Sequence, residues 1–429
     1  MNTHGDDARA SKLLELFQSA VDSVVGDVAV AKALQVKPLE STDELYLLAV
    51  GKAADAMVRG ASRVLPSPPI RGLMITKHDH VSDEVSAFDW MQVIEASHPV
   101  PDESSLLAGV TCIDFVKKIP ANAQLLVLMS GGTSALMEHL IDGLTLSDVQ
   151  QLNEALIAGG LPIDAMNRVR KTVSAIKGGK LSSYIPADVT VTQLVISDVP
   201  GDSLTDIGSG VLALPASDAF VHPGELIDRL PLRLPDNLVA CINAFGKCPP
   251  AASSSVWQRI DSTIVGSSNI AQKAAETAAK SGKTPVLQAT GSLHGDVDDI
   301  AELIVQTILR DTRGGVYIWG GETHLVLPKK TGRGGRNQHL ALAIAKRIAG
   351  QPGLSVLCCG TDGSDGPTVN AGGLVTGETI AKGEALGLEV DKHLQNADAG
   401  SYLGAVGALV TTGPTGTNVM DLAIALRDY

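Results

Sequence analysis

The sequence predicts an α/β protein with two domains, of which the N-terminal one contains a parallel sheet. Short apolar runs end in glycine or polar turns, and segments with helical character follow them, which is typical of βαβ units. The chain has 429 residues, enough for two or three domains. Its 44 glycines and 3% aromatic residues suit an enzyme with tight strand-to-helix turns better than a protein that stacks nucleic-acid bases.

The predicted elements follow in chain order. An amphipathic helix is predicted over 10–24. The expected strands lie at 44–50, 72–76, 124–129, 192–196, 262–265, 284–289, 315–319, 323–327 and 354–359. Helices are expected at 53–65, 268–281, 297–311 and 337–348, and after the Gly/Thr loop 412–418. Six prolines interrupt residues 212–250, where we expect short helices and a linker, so we place two domains at 1–245 and 246–429.

Charge and composition exclude several classes of protein. The net charge is −13 and no run of Lys or Arg is long, which argues against a nucleic-acid binder. No apolar run approaches the roughly 20 residues that span a bilayer, and the polar N-terminus does not resemble a signal peptide. The five scattered cysteines indicate a cytoplasmic protein without a structural zinc site. The HExxH and GxSxG motifs of hydrolases are absent.

Two loops after predicted strands suit anions. Lys52 follows the strand 44–50, where its ammonium can steady a phosphate or a carboxylate. The loop that follows the strand 124–129 opens a predicted helix, and its glycines allow the backbone N–H groups to approach a phosphate. This loop consists of Ser130, Gly131, Gly132, Thr133 and Ser134. The alternatives are a solvated lysine and a simple tight turn.

Acidic and basic residues cluster further along the chain. Asp198 and Asp202 follow the strand 192–196 and can hold Mg²⁺ or accept a proton from a hydroxyl. The segment 167–180 carries Arg168 and four other cations that can attract an anionic substrate. Ordinary turns and a solvated helix face are the alternatives for these two segments.

The C-terminal half has similar loops. Glu322 follows the strand 315–319 as another candidate metal ligand, and Asp362 lies in an acidic loop after the strand 354–359. Glycines flank arginines in the loop 331–338, which suits a polyphosphate that Arg336 can bind with two hydrogen bonds. The candidate nucleotide contacts there are Gly332, Gly334, Gly335 and Asn337. Solvated turns are again the alternative.

Together these segments resemble the glycerate 2-kinases of the MOFRL type. The matching segments, in the order of the family, are AVGKAADAM (49–57), SHPVPDE (97–103), LMSGGTSAL (128–136), NRVRKTVSAIKGGKL (167–181), VISDVPGD (195–202), GGETHLVL (320–327), GRGGRNQHLAL (332–342), GTDGSDGPT (360–368) and TGPTGTNVMDL (412–422). They cover nearly the whole chain. One departure is Thr133, which stands where the family loop has a third glycine.

The resemblance implies the ATP-dependent phosphorylation of D-glycerate to 2-phosphoglycerate. It implies an N-terminal Rossmann-like domain, a C-terminal α/β MOFRL domain at about 314–425, and a cleft between them. The important lysine, arginine and aspartate of the family fall on Lys52, Arg336 and Asp198. We expect Lys52, Arg168, Asp198 and Arg336 to contact the substrate. We expect Asp198, Asp202, Glu322 and Asp362 to be candidate ligands of Mg²⁺.

Two other functions stay open at this level. A nicotinamide-dependent reductase of hydroxypyruvate or tartronate semialdehyde fits a Rossmann-like domain, although no GxGxxG follows the first strand. A noncatalytic sugar-acid sensor would bind its ligand without turnover. We expect no nucleic-acid or membrane partner, and the sequence leaves open whether the chain forms a homo-oligomer.

Overall fold

The computed structural model describes residues 3–39, 44–161, 163–213, 223–245 and 257–428. The chain divides into two compact units. The first unit is Ala29–Val265, and the second unit combines Met1–Val28 with Gly266–Tyr429. Each unit is built around its own β-sheet.

Helices flank both sheets. In chain order they are α1 Thr3–Asp22, α2 Gly26–Val36, α3 Ala54–Ser62, α4 Asp83–Ser86, α5 Glu103–Lys117, α6 Thr133–Leu136, α7 Leu146–Ala158, α8 Ile163–Val173, α9 Pro223–Ile227, α10 Asp236–Phe245, α11 Ser268–Ser281, α12 Val297–Arg310, α13 Arg336–Arg347, α14 Thr379–Ala385, α15 Val390–Gln395 and α16 Ala399–Ala405. Among the described residues, none of these helices is both long enough and apolar enough to cross a membrane.

The sheet of the first unit has the strand order β3-β2-β1-β4-β5-β6. Its strands are β1 Leu45–Val50, β2 Arg71–Lys77, β3 Met91–Ala96, β4 Gln124–Met129, β5 Thr190–Ile196 and β6 Ile260–Gly266. Strands β1 to β5 pair in parallel, as the sequence predicts. Strand β4 is buried along its whole length because helices cover both faces of a parallel sheet. The order reverses at β1, as in doubly wound dinucleotide-binding folds.

The second unit has a mixed sheet of order β13-β12-β11-β14-β9-β7. Its strands are β7 Val286–Ser292, β9 Gly315–Gly321, β11 Leu354–Gly360, β12 Gly372–Thr376, β13 Leu409–Val410 and β14 Asp421–Arg427. Only β7 and β9 pair in parallel, and the other described pairs are antiparallel. A separate parallel pair joins β8 Gly295–Asp296 to β10 Thr323–His324.

Two predictions for the C-terminal half are wrong. The segment after 412–418 is the strand β14 and not a helix. Its Leu and Ala residues favour helices, but here they lie between β9 and β11, where packing overrides local propensity. The strand predicted at 323–327 has only two residues, Thr323 and His324.

The compact units also differ from the predicted domains 1–245 and 246–429. Strand β6 lies at the edge of the first sheet, so the first unit extends to Val265. Helix α1 belongs to the second unit, where Arg9 Nε donates to Ser355 Oγ at 3.2 Å and Arg9 pairs with Asp428. An amphipathic stripe predicts that a helix is covered on one face but not which sheet covers it. The predicted linker falls partly at 214–222 and 246–256, outside the described residues.

Candidate active site

Lys52 and the Ser130 loop (Ser130–Ser134) lie at the point where the strand order reverses. Lys52 follows β1 and the Ser130 loop follows the adjacent strand β4, so both stand at the carboxyl edge of the sheet. The backbone N–H of Lys52 donates to the Gly131 carbonyl at 2.9 Å, and that of Ala53 donates to Ser130 Oγ at 3.0 Å. In open α/β sheets the crevice at this position is the usual ligand site.

Asp198 joins this pair from the end of β5. Lys52 Nζ lies 3.9 Å from Asp198 Oδ2, and both side chains are about one-quarter exposed, at 28% and 23%. A side chain at Gly131 would overlap the Asp198 carboxylate. Gly132 has φ of 90°, and a Cβ there would lie 3.0 Å from Lys52 Cγ. The two glycines therefore allow the charged side chains to lie directly against the loop backbone.

Thr133 fits where the family has a third glycine because its hydroxyl forms hydrogen bonds with the backbone. Its Oγ1 donates to the carbonyls of Val50 at 3.1 Å and Ser130 at 2.8 Å. The helix that begins there, α6, has only four residues, so its dipole is far smaller than the one expected for a full helix. Gly132, at its N-cap, makes no side-chain capping bond. The first N–H groups of α6 thus remain as donors for an anion.

A turn at Gly208–Gly210 connects the Ser130 loop to the basic segment. Ser134 Oγ and Ser209 Oγ share a hydrogen bond of 2.9 Å. The carbonyl of Ser209 accepts the N–H of Gly178 at 2.9 Å, and Lys171 Nζ lies 3.6 Å from Asp206. Four separate loops of the sequence are thereby assembled into one site.

The predicted substrate contact Arg168 and two other residues of the basic segment differ in their position relative to a nearby cavity. Arg170 and Lys177 line a cavity that also contains Gly132, whereas Arg168, on the same helix α8, is not part of that lining. Helical spacing explains this result, because residues two apart on a helix face different directions. The sequence places five cations in this segment, and the folded structure determines which of them line the cavity.

His98 is the residue that sequence reasoning did not assign. Its ring lies 3.2 Å from the position that a Cβ of Gly132 would occupy, beside Lys52. Burial, with the nearby charges of Lys52 and Lys77, lowers the pKa of His98 from 6.5 to about 4. His98 is therefore a neutral group at pH 7. The sequence feature that could have indicated His98 is its position in the segment SHPVPDE, which matches the family.

A second cluster surrounds Arg336 in the second unit. Arg336 begins α13, and its Nη1 lies 3.0 Å from Glu322 Oε2 after β9, while Nη2 lies 3.5 Å from Asp421 Oδ2. Burial raises the pKa of Asp421 to about 8, against the opposing effect of Arg336. Glu322 is the nearer of the two carboxyl groups that face Arg336.

The glycine loop before α13 is held by two aspartates. Asp365 accepts the N–H groups of Asn337 at 3.0 Å and Gln338 at 2.8 Å, so it caps the helix from another loop. A side chain at Gly335 would overlap Asp365, and one at Gly332 would overlap Asp398. The side chain of Asn337, a predicted nucleotide contact, is buried and donates to Asp365 at 3.3 Å.

The four predicted metal ligands fall into separate places. Asp198 precedes the turn Pro200–Asp202 and Asp202 ends it, both in the first unit, whereas Glu322 and Asp362 belong to the second. Glu322 pairs with Arg336, and Asp362 accepts the N–H of Ser364 at 2.9 Å within its own loop. Among the residues that the structure describes, no three His, Cys, Asp or Glu side chains are grouped to hold a metal ion.

Fold and site together define an α/β protein whose first unit is doubly wound and carries glycine loops and charged side chains at its strand ends, and comparisons identify its family. The family model described as a domain of unknown function, DUF4147, matches residues 12–243, and that of the MOFRL family matches residues 315–421. The chain is 34% identical to the D-glycerate 2-kinase of Thermotoga maritima, over 96% of this chain and 97% of that protein. It is 32% identical to the glycerate 2-kinase of Pyrococcus horikoshii, over 92% and 89%.

A solved structure agrees with these relatives. The crystal structure of the Thermotoga maritima glycerate kinase matches with a TM-score of 0.84 and 31% identity, over 98% of this chain and 100% of that one. The chain therefore belongs to the glycerate 2-kinase family of the MOFRL type, and the resemblance seen in the sequence is confirmed.

Proposed function

We propose that the protein is a kinase that phosphorylates D-glycerate with ATP and forms 2-phosphoglycerate. Two relatives named glycerate 2-kinase, each matched over most of its length, support this activity. The observation that carries the proposal is the position of Lys52 and Asp198, 3.9 Å apart beside the glycines of the Ser130 loop. Phosphoryl transfer requires a cation for the phosphoryl oxygens and a group that orients the attacking hydroxyl, and this pair offers both.

Three charged residues have roles in this reaction. Asp198 orients the 2-hydroxyl of glycerate and accepts its proton as the oxygen attacks the γ-phosphorus of ATP, and the bond from phosphorus to the ADP oxygen breaks. Lys52 stabilises the negative charge of the transferred phosphoryl group through its ammonium. Arg336, whose guanidinium is 40% exposed, is a cation that can bind phosphate oxygens, and we expect turnover to require it.

The first unit has groups that fit Mg²⁺-ATP. Gly131 and Gly132 bring Asp198 and Lys52 against the loop backbone, so the phosphate contacts that we propose for the Ser130 loop lie beside Lys52. Mg²⁺ takes few protein ligands and prefers oxygen, so Asp198 and Asp202 are the candidate ligands of this unit, together with substrate phosphates. When bound, the ion would neutralise part of the phosphate charge. The predicted roles of Glu322 and Asp362 as metal ligands, the oligomeric state and the cytoplasmic location stay predictions.

The reductase alternative has less support in the site. The turn after β1 reads Gly51-Lys52-Ala53-Ala54, so it lacks the glycine spacing that brings a dinucleotide pyrophosphate to a helix N-terminus. Lys52 occupies this turn instead.

The proposal is tested with purified protein, D-glycerate, ATP and Mg²⁺, and the product is identified by phosphorus NMR. The expected signal is that of 2-phosphoglycerate. A signal of 3-phosphoglycerate would retain the kinase but contradict the regiochemistry. No consumption of ATP, with oxidation of NADH in the presence of hydroxypyruvate, would favour the reductase. Ligand binding without either reaction would favour the sensor.

A further inference from the structure

The first unit contains a cavity of about 390 Å³ beside the candidate active site. Its size is within the range of about 300–1,000 Å³ that is common for small-molecule pockets. Gly132 and His98, which lie against Lys52, are part of its lining, and prolines and aliphatic side chains form much of the remainder. The cavity therefore adjoins the groups that we propose to carry out phosphoryl transfer.

Most charged groups of this cavity are neutralised. Lys177 and Glu138, exposed by only 4% and 2%, form an ion pair of 2.5 Å. Glu138 also accepts the hydroxyl of Ser174 at 2.6 Å, and its ion pair with Lys177 has no net charge. His98 is neutral at pH 7 because its pKa is about 4. The remaining charged residue of the lining is Arg170.

Arg170 is the uncompensated cation of the cavity. Its Nε donates to Asn153 Oδ1 at 2.8 Å and its Nη1 to Asn167 Oδ1 at 3.4 Å. Both acceptors are neutral amides, and no carboxylate in the described ranges lies within ion-pair distance of the guanidinium. Burial lowers the pKa of Arg170 without any opposing charge. A half-buried guanidinium with amide partners keeps its full charge and attracts an anion.

We propose that Arg170 binds the carboxylate of the acceptor substrate and thereby selects hydroxy acids over neutral polyols. This inference rests on the proposed function and deepens it. One net positive charge matches a carboxylate with a single negative charge, whereas a triphosphate would require several cations. The planar guanidinium also matches a carboxylate in shape.

The location of the cavity supports the same assignment. Ser134 and Gly132 line it together with Arg170, and Gly132 lies against Lys52. An acceptor whose carboxylate is held at Arg170 thus has its hydroxyl groups in the cavity that adjoins Lys52 and Asp198. Lys52 is then not needed to hold the substrate carboxylate and remains available for the phosphoryl group.

The test compares Arg170→Gln and Arg170→Lys with Arg233→Gln, a matched change at an 88% exposed arginine of the same unit. Binding of D-glycerate without ATP, and of ATP without D-glycerate, is measured by calorimetry. We expect Arg170→Gln to weaken D-glycerate binding by about 30-fold and to leave ATP binding within about twofold. Arg170→Lys keeps the charge but not the paired N–H groups, so its affinity for D-glycerate should lie between those of the wild type and Arg170→Gln. Arg233→Gln should match the wild type.

Turnover gives a second readout that a merely structural role would not change. The ratio of kcat/KM for D-glycerate to that for glycerol, which lacks a carboxylate, should fall by about the same factor in Arg170→Gln. Weakened ATP binding with unchanged D-glycerate binding would overturn the proposal and assign the cavity to the nucleotide. Unchanged binding of both ligands in a folded variant would also overturn it. Arg170-dependent binding of D-glycerate by a protein without kinase activity would support the subsite and reject only the proposed function.

Discussion

The carboxylate of Asp198 lies directly against the backbone of Gly131, so that a methyl group at Gly131 would overlap it. Gly131 follows β4 and Asp198 follows β5, and these strands are parallel neighbours. The contact shows why a glycine is required at this turn: no side chain fits between the phosphate-binding loop that we propose and the residue that we propose to orient the hydroxyl.

Gly131→Ala should therefore displace Asp198 and lower kcat by about 10- to 100-fold, because misplacement of a catalytic group by about 1 Å has effects of this size. Steady-state kinetics and a thermal melt measure the effect. Gly404→Ala is the control: it lies in α16, its new methyl group would meet only Leu409 Cδ1 at 3.3 Å, and alanine favours a helix. Full turnover of a folded Gly131→Ala protein would contradict the placement of Asp198.

Lys52→Gln should lower kcat by about 10²- to 10³-fold, because it removes one charged contact with the transferred phosphoryl group. Stability should change little, since Lys52 is part-exposed and its ion pair with Asp198 is long at 3.9 Å. Lys37→Gln, which changes a 72% exposed lysine of the first unit, is the matched control and should retain activity. An equal change of kcat in both variants would contradict a role of Lys52 in phosphoryl transfer.

Asp365→Ala should destabilise the second unit by about 1–2 kcal/mol, the usual cost of a lost helix cap. Asp365 accepts the first backbone N–H groups of α13, and these donors would be left without that acceptor. Chemical denaturation measures the free energy of unfolding. Asp391→Ala removes an exposed surface pair with Lys346 and should cost far less. If both variants unfold at the same denaturant concentration, the cap makes no measurable contribution.

His98 should titrate near pH 4, which proton NMR of the imidazole ring can measure directly. The folded state then binds this proton less tightly than the unfolded state, whose histidine titrates near 6.5. As the pH falls from about 6.5 to about 4, the unfolded state gains a proton that the folded state does not, so stability is lost in this window. The loss should be smaller in His98→Gln. A ring that titrates near pH 6.5 would contradict the burial of His98 against Lys52.

The parallel sheet of the first unit could be predicted because its strands are buried on both faces. Such strands read as continuous apolar runs, and 44–50 and 124–129 correspond closely to β1 and β4. The sheet of the second unit could not be predicted in the same way. Strand β14 consists largely of Leu and Ala, and its extended form depends on β9 and β11 on either side. Nothing within the segment itself determines that choice.

Most candidate site residues could be named from loops that follow strands. Lys52, the Ser130 loop and Asp198 were predicted separately, and the structure brings them together because β1, β4 and β5 are adjacent. Arg170 and His98 could not be selected in this way. Arg170 differs from Arg168 only in the direction that it faces on α8, and His98 differs from the other histidines only in its burial.

The sequence alone determined which chemical groups are available at each strand end, because the glycines and charged residues of a turn follow their strand directly in the chain. It also determined the family, since nine segments occur in one order over nearly the whole chain. Only the tertiary structure decided which charges are compensated. Lys177 is neutralised by Glu138, whereas Arg170 is held by amides, and that difference depends on contacts between residues far apart in the chain. Charge compensation is a property of packing, and so it becomes visible only in the folded protein.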